Sequence, residues 1–333
     1  MTRVVSTLFV ICILPAVALA QSESETSVVR TAWGDPDLGG VWDYRTMTPL
    51  QRSVDFASKE FLSDEEAATY ERQVLARRRR GPLTPGSTHA QWWLDQGTAL
   101  TDDHRTSLII DPPDGRIPSL TPKAQAWEVA QRGQRPVRAR QVVNSPAHGP
   151  EDLGLAERCL LGYSTGPPVV PNAYNNNIQL FQTPSHVAIL IEMVHDVRIV
   201  PLGGRPHLSS DIRQWLGDAR GHWEGDTLIV DTTNFTDKTG SFDATLREPY
   251  GSGETLHLIE RFTRTGEHAL RYEFTIDDPT TFTRPFTAVV PMRTSDGSVY
   301  EYACHEGNYA MVNGLTSTRN QERVSAISGS AGR

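Results

Sequence analysis

Histidine and glutamate side chains in the C-terminal half of this chain could carry out acid–base chemistry. Seven of the ten histidines lie between positions 186 and 305. Two sets place an imidazole and a carboxylate three residues apart: Glu192 with His195, and His257 with Glu260. Desolvation and charged partners shift the pKa values of such groups in opposite directions, which lets them divide acid and base work near neutral pH. These four residues are the predicted catalytic set.

The spacing is also consistent with a structural role for each histidine. Residues three apart on a strand point to opposite faces, so neither set is expected to be a direct pair, and any partnership has to form between strands. A surface histidine bonded to its neighbour is the alternative.

The predicted ligand-binding residues are Arg261, Arg284, Trp223 and His305. Guanidinium groups hold carboxylates through two parallel hydrogen bonds, and aromatic walls suit ring-shaped or sugar ligands. Partnered arginines and ordinary core packing would explain the same residues.

A metal site is a further alternative. His195, His257 and His305 come from separate predicted strands and could converge as a three-histidine site of the kind that binds catalytic zinc. No cofactor is otherwise predicted, because the sequence contains no P-loop, glycine-rich dinucleotide turn, G-x-S-x-G elbow or H-E-x-x-H motif.

The N-terminus predicts export. Arg3, an apolar stretch from Val4 to Val17 and the closing Ala18-Leu19-Ala20 are typical of a secretory signal cleaved after Ala20. We therefore expect a periplasmic or secreted protein. No later segment is apolar for long enough to predict a membrane span, and a net charge of −8 argues against nucleic acid as a partner. A small organic ligand is the expected partner, and the oligomeric state is left open.

Cysteine usage predicts one disulfide. Removal of the leader and its Cys12 leaves only Cys159 and Cys304, and an isolated pair in an oxidising compartment is most simply bonded. The competing interpretation is a catalytic thiol at Cys304 beside His305.

The elements that must position these residues divide the chain into four parts. After the leader, 1–20, a proline-rich segment, 21–175, predicts an irregular wrapping region with a few helices, among them one that Ser63 and Glu66 begin as a capping box. Residues 176–310 contain short β-branched and aromatic runs joined by hairpin-length gaps, and 311–333 form a tail or a short helix.

These runs predict a mainly β fold, an antiparallel meander that curls into a barrel or half-barrel. The expected strands include Val187 to Val194, in which His195 continues the apolar face, and Val299 to Cys304. One helix is expected to interrupt them, from Asp211 to Leu216, with Ser210 as its cap and Gly217 as its end.

Three segments carry a resemblance to known proteins. Trp33 to Trp42, Trp215 to Phe235 and Tyr300 to Asn308 resemble a family of uncharacterised secreted proteins of soil bacteria, acidobacterial types among them. The resemblance covers most of the chain after the leader and implies a bacterial source, but it brings no assigned reaction and no catalytic residue. The Glu224-Gly-Asp226 hairpin is also similar to those of lipocalin-type barrels, a likeness of fold alone.

Together these observations predict an exported, small-molecule-binding barrel that is an acid–base enzyme: a lyase, isomerase or hydrolase. A ligand carrier or sensor that binds without reacting, and a structural component of the cell envelope, are the alternatives.

Overall fold

The computed structural model describes residues 29–56, 58–79, 94–134, 147–162, 165–242 and 250–330. The expected leader, residues 1–20, lies outside the described residues. The strands within these ranges are β1 (Gly40–Asp43), β2 (Ile109–Asp111), β3 (Asn177–Gln182), β4 (His186–Ile191), β5 (Val197–Pro201), β6 (Asp218–Glu224), β7 (Thr227–Thr233), β8 (His257–Gly266), β9 (Ala269–Asp277) and β10 (Phe286–Thr294). The α-helices there are α1 (Asp64–Arg79), α2 (Pro122–Gln134) and α3 (Tyr309–Ser330).

The strands form a nearly closed barrel, which confirms the predicted fold class. Nine strands follow one another in the order β5, β4, β3, β1, β10, β9, β8, β7 and β6, each antiparallel to its neighbour, while β2 pairs with β10 off this path. The two end strands meet at a single parallel bridge between Leu202 and Gly221. A Cβ atom at Gly221 would lie 2.7 Å from Leu202 Cδ2 and 2.8 Å from Val200 Cγ1. Glycine is therefore required for the ends to approach this closely.

Side chains fill the barrel interior. Alternate residues of each strand point inwards, as the period of two requires. On β9, for example, Leu270, Tyr272, Phe274 and Ile276 are all buried, and the residues between them face outwards. Trp42 of β1 and Phe262 of β8 are also fully buried. The interior is thus a packed core.

The N-terminal part of the chain contributes to the sheet as well as wrapping it. Strand β1 inserts between β3 and β10, so the barrel needs four residues from well before the main run of strands. The predicted capping box is present at the start of α1, where the backbone N–H of Ser63 donates to Glu66 and the N–H of Glu66 donates to the Ser63 hydroxyl.

The predicted disulfide joins Cys159 to Cys304, with Cα atoms 5.8 Å apart. It connects the segment between α2 and β3 to the chain that follows β10. With both sulfur atoms bonded to each other, a catalytic thiol at Cys304 is excluded.

Three expectations about local structure are wrong. The expected helix over Asp211 to Leu216 is absent: turn residues lie on either side of Gln214, which pairs with Phe235 in a parallel bridge. Residues 299–304 are not a strand. Strand β4 ends at Ile191, before Val194 and His195 adopt left-handed backbone with φ of 65° and 49°, so His195 does not continue the inward face.

The predicted C-terminal part, 311–333, is expected to be a tail or a short helix; α3 begins at Tyr309 and is 22 residues long. No helix among the described residues is long and apolar enough to cross a membrane.

Candidate functional site

Acidic and imidazole side chains meet on the outer face of β6, β7 and β8. Leu228, Val230 and Thr232 of β7 are buried inside the barrel, so Asp231 between them points outwards. Asp231 pairs with Ile259 of β8, which makes His257 its diagonal neighbour on that face. Diagonal neighbours across a ladder are within reach of long side chains.

A chain of hydrogen bonds connects these side chains. His257 Nε2 donates to Asp231 Oδ2 over 2.7 Å, and His207 Nε2 donates to Asp231 Oδ1 over 2.8 Å. The other ring nitrogen of His207, Nδ1, lies 3.0 Å from Asp218 Oδ2. We refer to His207, Asp218, Asp231 and His257 as the histidine–aspartate cluster.

The connection between β5 and β6 brings His207 over the sheet. The backbone N–H of Leu208 donates to Asp218 Oδ2 over 2.9 Å, and the Arg220 guanidinium donates to Asp218 Oδ1 over 2.6 Å. Asp218 is almost fully buried beneath this segment, with 5% of its side chain exposed. Each ring nitrogen of His207 therefore faces a carboxylate, Asp218 at Nδ1 and Asp231 at Nε2.

The cluster shifts the ionisation of its members. The hydrogen bond to Asp231 raises the pKa of His257; burial works in the opposite direction and is outweighed, with further raising by the charges of Asp231 and Asp277. Burial acts to raise the pKa of Asp231, but the hydrogen bonds and charges of His257 and His207 outweigh it and lower the value. Asp231 is therefore held as a carboxylate and favours a proton on His257.

One nitrogen of the cluster is available to another molecule. His257 is 38% exposed and Asp231 34% exposed. Among the described residues, nothing hydrogen-bonds to His257 Nδ1, while Nε2 is fixed by Asp231. A carboxylate that fixes one imidazole nitrogen and leaves the other free to take or give a proton is a general acid–base arrangement.

The described residues also form an open cavity of about 680 Å³, whose wall comes near His257 along the chain. Its wall includes Trp127 of α2, Leu155, Thr255 and Thr280. Thr255 precedes His257 by two residues, so their Cα atoms are at most about 7 Å apart. The Thr255 and Thr280 hydroxyls bond to each other over 2.7 Å, which links the ends of the chain segments that lead into β8 and out of β9. The volume is within the range of small-molecule sites.

Glu260, another member of the predicted catalytic set, lies on the opposite side of the sheet from His257, as their spacing predicts. It is 1% exposed inside the barrel, where Arg198 NH1 donates to it over 3.0 Å and the Tyr272 hydroxyl donates over 2.8 Å. Burial raises the pKa of Tyr272, and the charge of Glu260 raises it further, so the phenol remains a donor. We refer to Arg198, Glu260 and Tyr272 as the interior cluster.

Glu192 and His195 lie together at the turn between β4 and β5, away from the other two predicted catalytic residues. Glu192 is buried and accepts hydrogen bonds from the backbone and side-chain amides of Asn177, at 3.2 Å and 2.8 Å. His195 is exposed, and its Nδ1 bonds to the Tyr302 carbonyl over 2.8 Å. The four residues therefore do not line one cavity.

The predicted ligand-binding residues are also dispersed. Arg261 lies 3.8 Å from Glu273 on the outer face, and Arg284 pairs with Asp111 over 2.6 Å. Trp223 is half-buried against the barrel core. His305 is exposed beside the disulfide. None of them lines the cavity beside Thr255.

The described residues contain no group of three or more His, Cys, Asp or Glu side chains that could hold a metal ion. His195, His257 and His305 are therefore not assembled as a metal site in this part of the chain.

Sequence reasoning missed three of the four members of the cluster. Asp231 carried a usable signal, because it is the polar residue that directly follows the apolar run Leu228-Ile-Val230. His207 carried none, since it lies in a connecting segment whose path over the sheet is decided by tertiary contacts. Asp218 precedes a predicted strand, and its role depends on His207.

No family model, curated protein or solved structure matches the chain. The resemblance to secreted proteins of soil bacteria therefore stays a prediction, and the geometry of the histidine–aspartate cluster is the strongest basis for a function.

Proposed function

We propose that this protein is an exported acid–base enzyme that acts on a small organic compound, with His257 as the residue that exchanges the proton. The observation that supports the proposal is the hydrogen-bonded chain from His257 through Asp231 to His207 and Asp218. It leaves one imidazole nitrogen of His257 without a partner among the described residues, and Thr255, two residues earlier, lines a cavity of suitable size.

In the proposed reaction, His257 Nδ1 takes a proton from the substrate or from a water molecule beside it. The positive charge that forms on the imidazole is stabilised by Asp231, which also holds the ring in the tautomer with Nδ1 unprotonated. Return of the proton to another substrate atom completes an isomerisation. Its delivery to a leaving group completes an elimination or a hydrolysis.

The raised pKa of His257 suits this role, because a general base is most effective when its pKa is close to the working pH. His207 and Asp218 act indirectly. His207 bonds to the second oxygen of Asp231 and is itself held by Asp218, which fixes the direction in which the Asp231 carboxylate faces His257.

Four probes cover the three reaction types: phenyl acetate for hydrolysis, acetophenone and mandelate for proton abstraction, and 3-hydroxy-3-phenylpropanoate for elimination. Each is incubated with the protein in D₂O and followed by proton NMR, which records both deuterium incorporation and product. We expect conversion of at least one probe, and a decrease of about 100-fold or more in the His257→Asn variant.

His222→Asn is the matched control. His222 also pairs with a carboxylate on the outer face, Glu224, over 3.0 Å, but both side chains are more than half exposed and belong to no larger cluster. The control variant should convert the probe at the wild-type rate. Equal conversion by wild type and His257→Asn would contradict the proposal.

A carrier or sensor is the second candidate. The composition of the cavity wall favours binding without reaction, because the wall contains Thr255 and Trp127 but not His257. A probe that binds and is recovered chemically unchanged, with no deuterium, would favour this function over catalysis. The third alternative, a structural component of the cell envelope, has the packed barrel interior in its favour but gives no role to the cavity.

A further inference from the structure

The cavity beside Thr255 gathers lysines, a residue type that is rare in this chain. The 333 residues contain only three lysines, Lys59, Lys123 and Lys238. Two of them, Lys123 and Lys238, line this cavity together with Arg158. The third lysine lies outside the cavity and forms an ion pair with Glu66 on α1.

The three cations of the cavity have no carboxylate partner within the described part of the chain. Among the described residues, neither lysine nor Arg158 forms an ion pair with an acidic side chain. Arg158 is half-buried, whereas Lys123 and Lys238 are exposed at the rim. A half-buried guanidinium without a partner has its paired N–H donors available for an anion with two oxygens.

Three carboxylates also lie at the cavity, and their positions matter for its selectivity. Glu254 is occupied by Arg213, whose NH2 lies 3.3 Å from it. Glu151 and Asp237 are exposed, so they are better hydrated than Arg158 and oppose an anion less strongly. The first turn of α2, with Lys123 and Ala124, adds the partial positive charge of a helix N-terminus.

The remaining wall is suited to an apolar body. Trp127 and Leu155 contribute half-buried surface next to the charged groups. A ligand with a flat ring and one anionic group would contact both kinds of wall at once.

From these observations we propose that the cavity binds a small aromatic oxyanion, a carboxylate or a phosphate ester, with Arg158 as its anchor and Lys123 and Lys238 at the rim. The inference deepens the proposed function by naming the class of substrate, and only the link to His257 rests on that function. Binding in the cavity is a separate claim that can be tested without turnover.

The small number of lysines allows a direct test on the intact protein. The lysines are methylated with formaldehyde and borohydride, with and without benzoate, phenyl phosphate or benzyl alcohol, and modification at each site is measured by mass spectrometry. Lys59 is the internal reference. At a ligand concentration ten times Kd, we expect about tenfold slower modification of Lys123 and Lys238 with either anion, and no change at Lys59.

Benzyl alcohol has the same ring without the charge and should protect neither lysine. Equal protection by benzyl alcohol, no protection by either anion, or equal protection of all three lysines would each overturn the proposal. Protection by benzoate alone or by phenyl phosphate alone would support it and identify the anionic group.

Variants test whether Arg158 itself, and not the overall charge of the protein, binds the anion. Arg158→Met should weaken anion binding about tenfold or more, measured by calorimetry. Arg116→Met is the control, because Arg116 is also half-buried without an ion pair in the described part of the chain but lies outside the cavity. Glu151→Gln should tighten binding. Unchanged affinity in the folded Arg158→Met variant would overturn the assignment of the anchor.

The outcomes distinguish this inference from the proposed function. If anions protect the lysines but His257→Asn leaves conversion unchanged, the cavity is a binding site and the acid–base role of His257 is wrong. If His257→Asn abolishes conversion but anions give no protection, the proposed function stands and the substrate class assigned here is wrong.

Discussion

The barrel carries two clusters of charged side chains on opposite faces of the same strand. Glu260 and His257 are both on β8, three residues apart, and both are predicted from the sequence to be chemically active. Inside, Glu260 is 1% exposed and bonded to Arg198 and Tyr272. Outside, His257 is 38% exposed and bonded to Asp231.

The difference between the two clusters shows how burial decides the role of a charged side chain. A buried ion pair is costly to desolvate, and its charges depend on each other, so the interior cluster is sensitive to the loss of either member. No substrate can reach it through the packed core. The histidine–aspartate cluster is exposed enough to meet a ligand and still buried enough for its partners to shift the ionisation of His257.

The largest effect is expected from breaking the interior cluster. Glu260→Ala leaves the Arg198 guanidinium, 3% exposed, without its counter-charge, and we expect a loss of about 3–5 kcal/mol in the free energy of unfolding. Urea denaturation measures it. Glu273→Ala on β9 is the control, because Glu273 pairs with Arg271 at the partly exposed outer face and should cost about 1 kcal/mol or less. Equal losses of stability in the two variants would contradict the difference expected between the buried interior pair and the outer-face pair.

Replacement of both interior charges should be far milder than replacement of one. In Arg198→Met combined with Glu260→Leu, apolar side chains of similar volume remove the desolvation cost together with the attraction. The Tyr272 hydroxyl loses one acceptor, which costs about 1–3 kcal/mol. The double variant should therefore be more stable than Glu260→Ala in the same urea titration; a greater loss in the double variant would show that the pair is a net stabiliser.

The histidine–aspartate cluster can be broken without a large change in stability. Asp231→Asn presents an amide that can donate to His257 Nε2, which places the proton on Nδ1 and removes the base. We expect a decrease of about 10²- to 10⁴-fold in conversion of the active probe, with the fold retained in circular dichroism. If conversion is unchanged, Asp231 does not orient His257.

A smaller effect is expected in the dependence of stability on pH. The pKa of His257 is raised above 6.5 and that of Asp231 is lowered below 3.8. The stabilising interaction between the charged imidazole and the carboxylate is therefore fully present between about pH 4 and pH 6.5. It is lost as pH rises through the folded-state pKa of His257, and as pH falls through that of Asp231.

Asp231→Ala should therefore cost more stability at pH 5.5 than at pH 9, by about 1 kcal/mol or less, since both side chains are about one-third exposed. Urea titrations at the two pH values measure the difference. Asp226→Ala is the control, because its partner Arg30 keeps its charge throughout this range. A cost that does not change with pH in Asp231→Ala would show that His257 and Asp231 are not coupled.

Local patterns predicted the barrel, the disulfide and the start of α1, because alternation, cysteine count and capping are encoded by neighbouring residues. They failed where distant contacts decide the structure. His195 was assigned to a strand that ends four residues earlier, at Ile191. His257 was correctly placed on the face opposite Glu260, but its partners Asp231 and His207 depend on strand register and on the path of the β5–β6 connection.

The most direct test compares conversion per folded molecule in two variants, His257→Asn and the interior double variant Arg198→Met/Glu260→Leu, using the probe that the wild type converts. The acid–base role of the outer face predicts a decrease of about 100-fold or more in the first and wild-type conversion in the second. Conversion that survives in His257→Asn but is lost from the folded interior variant would contradict it.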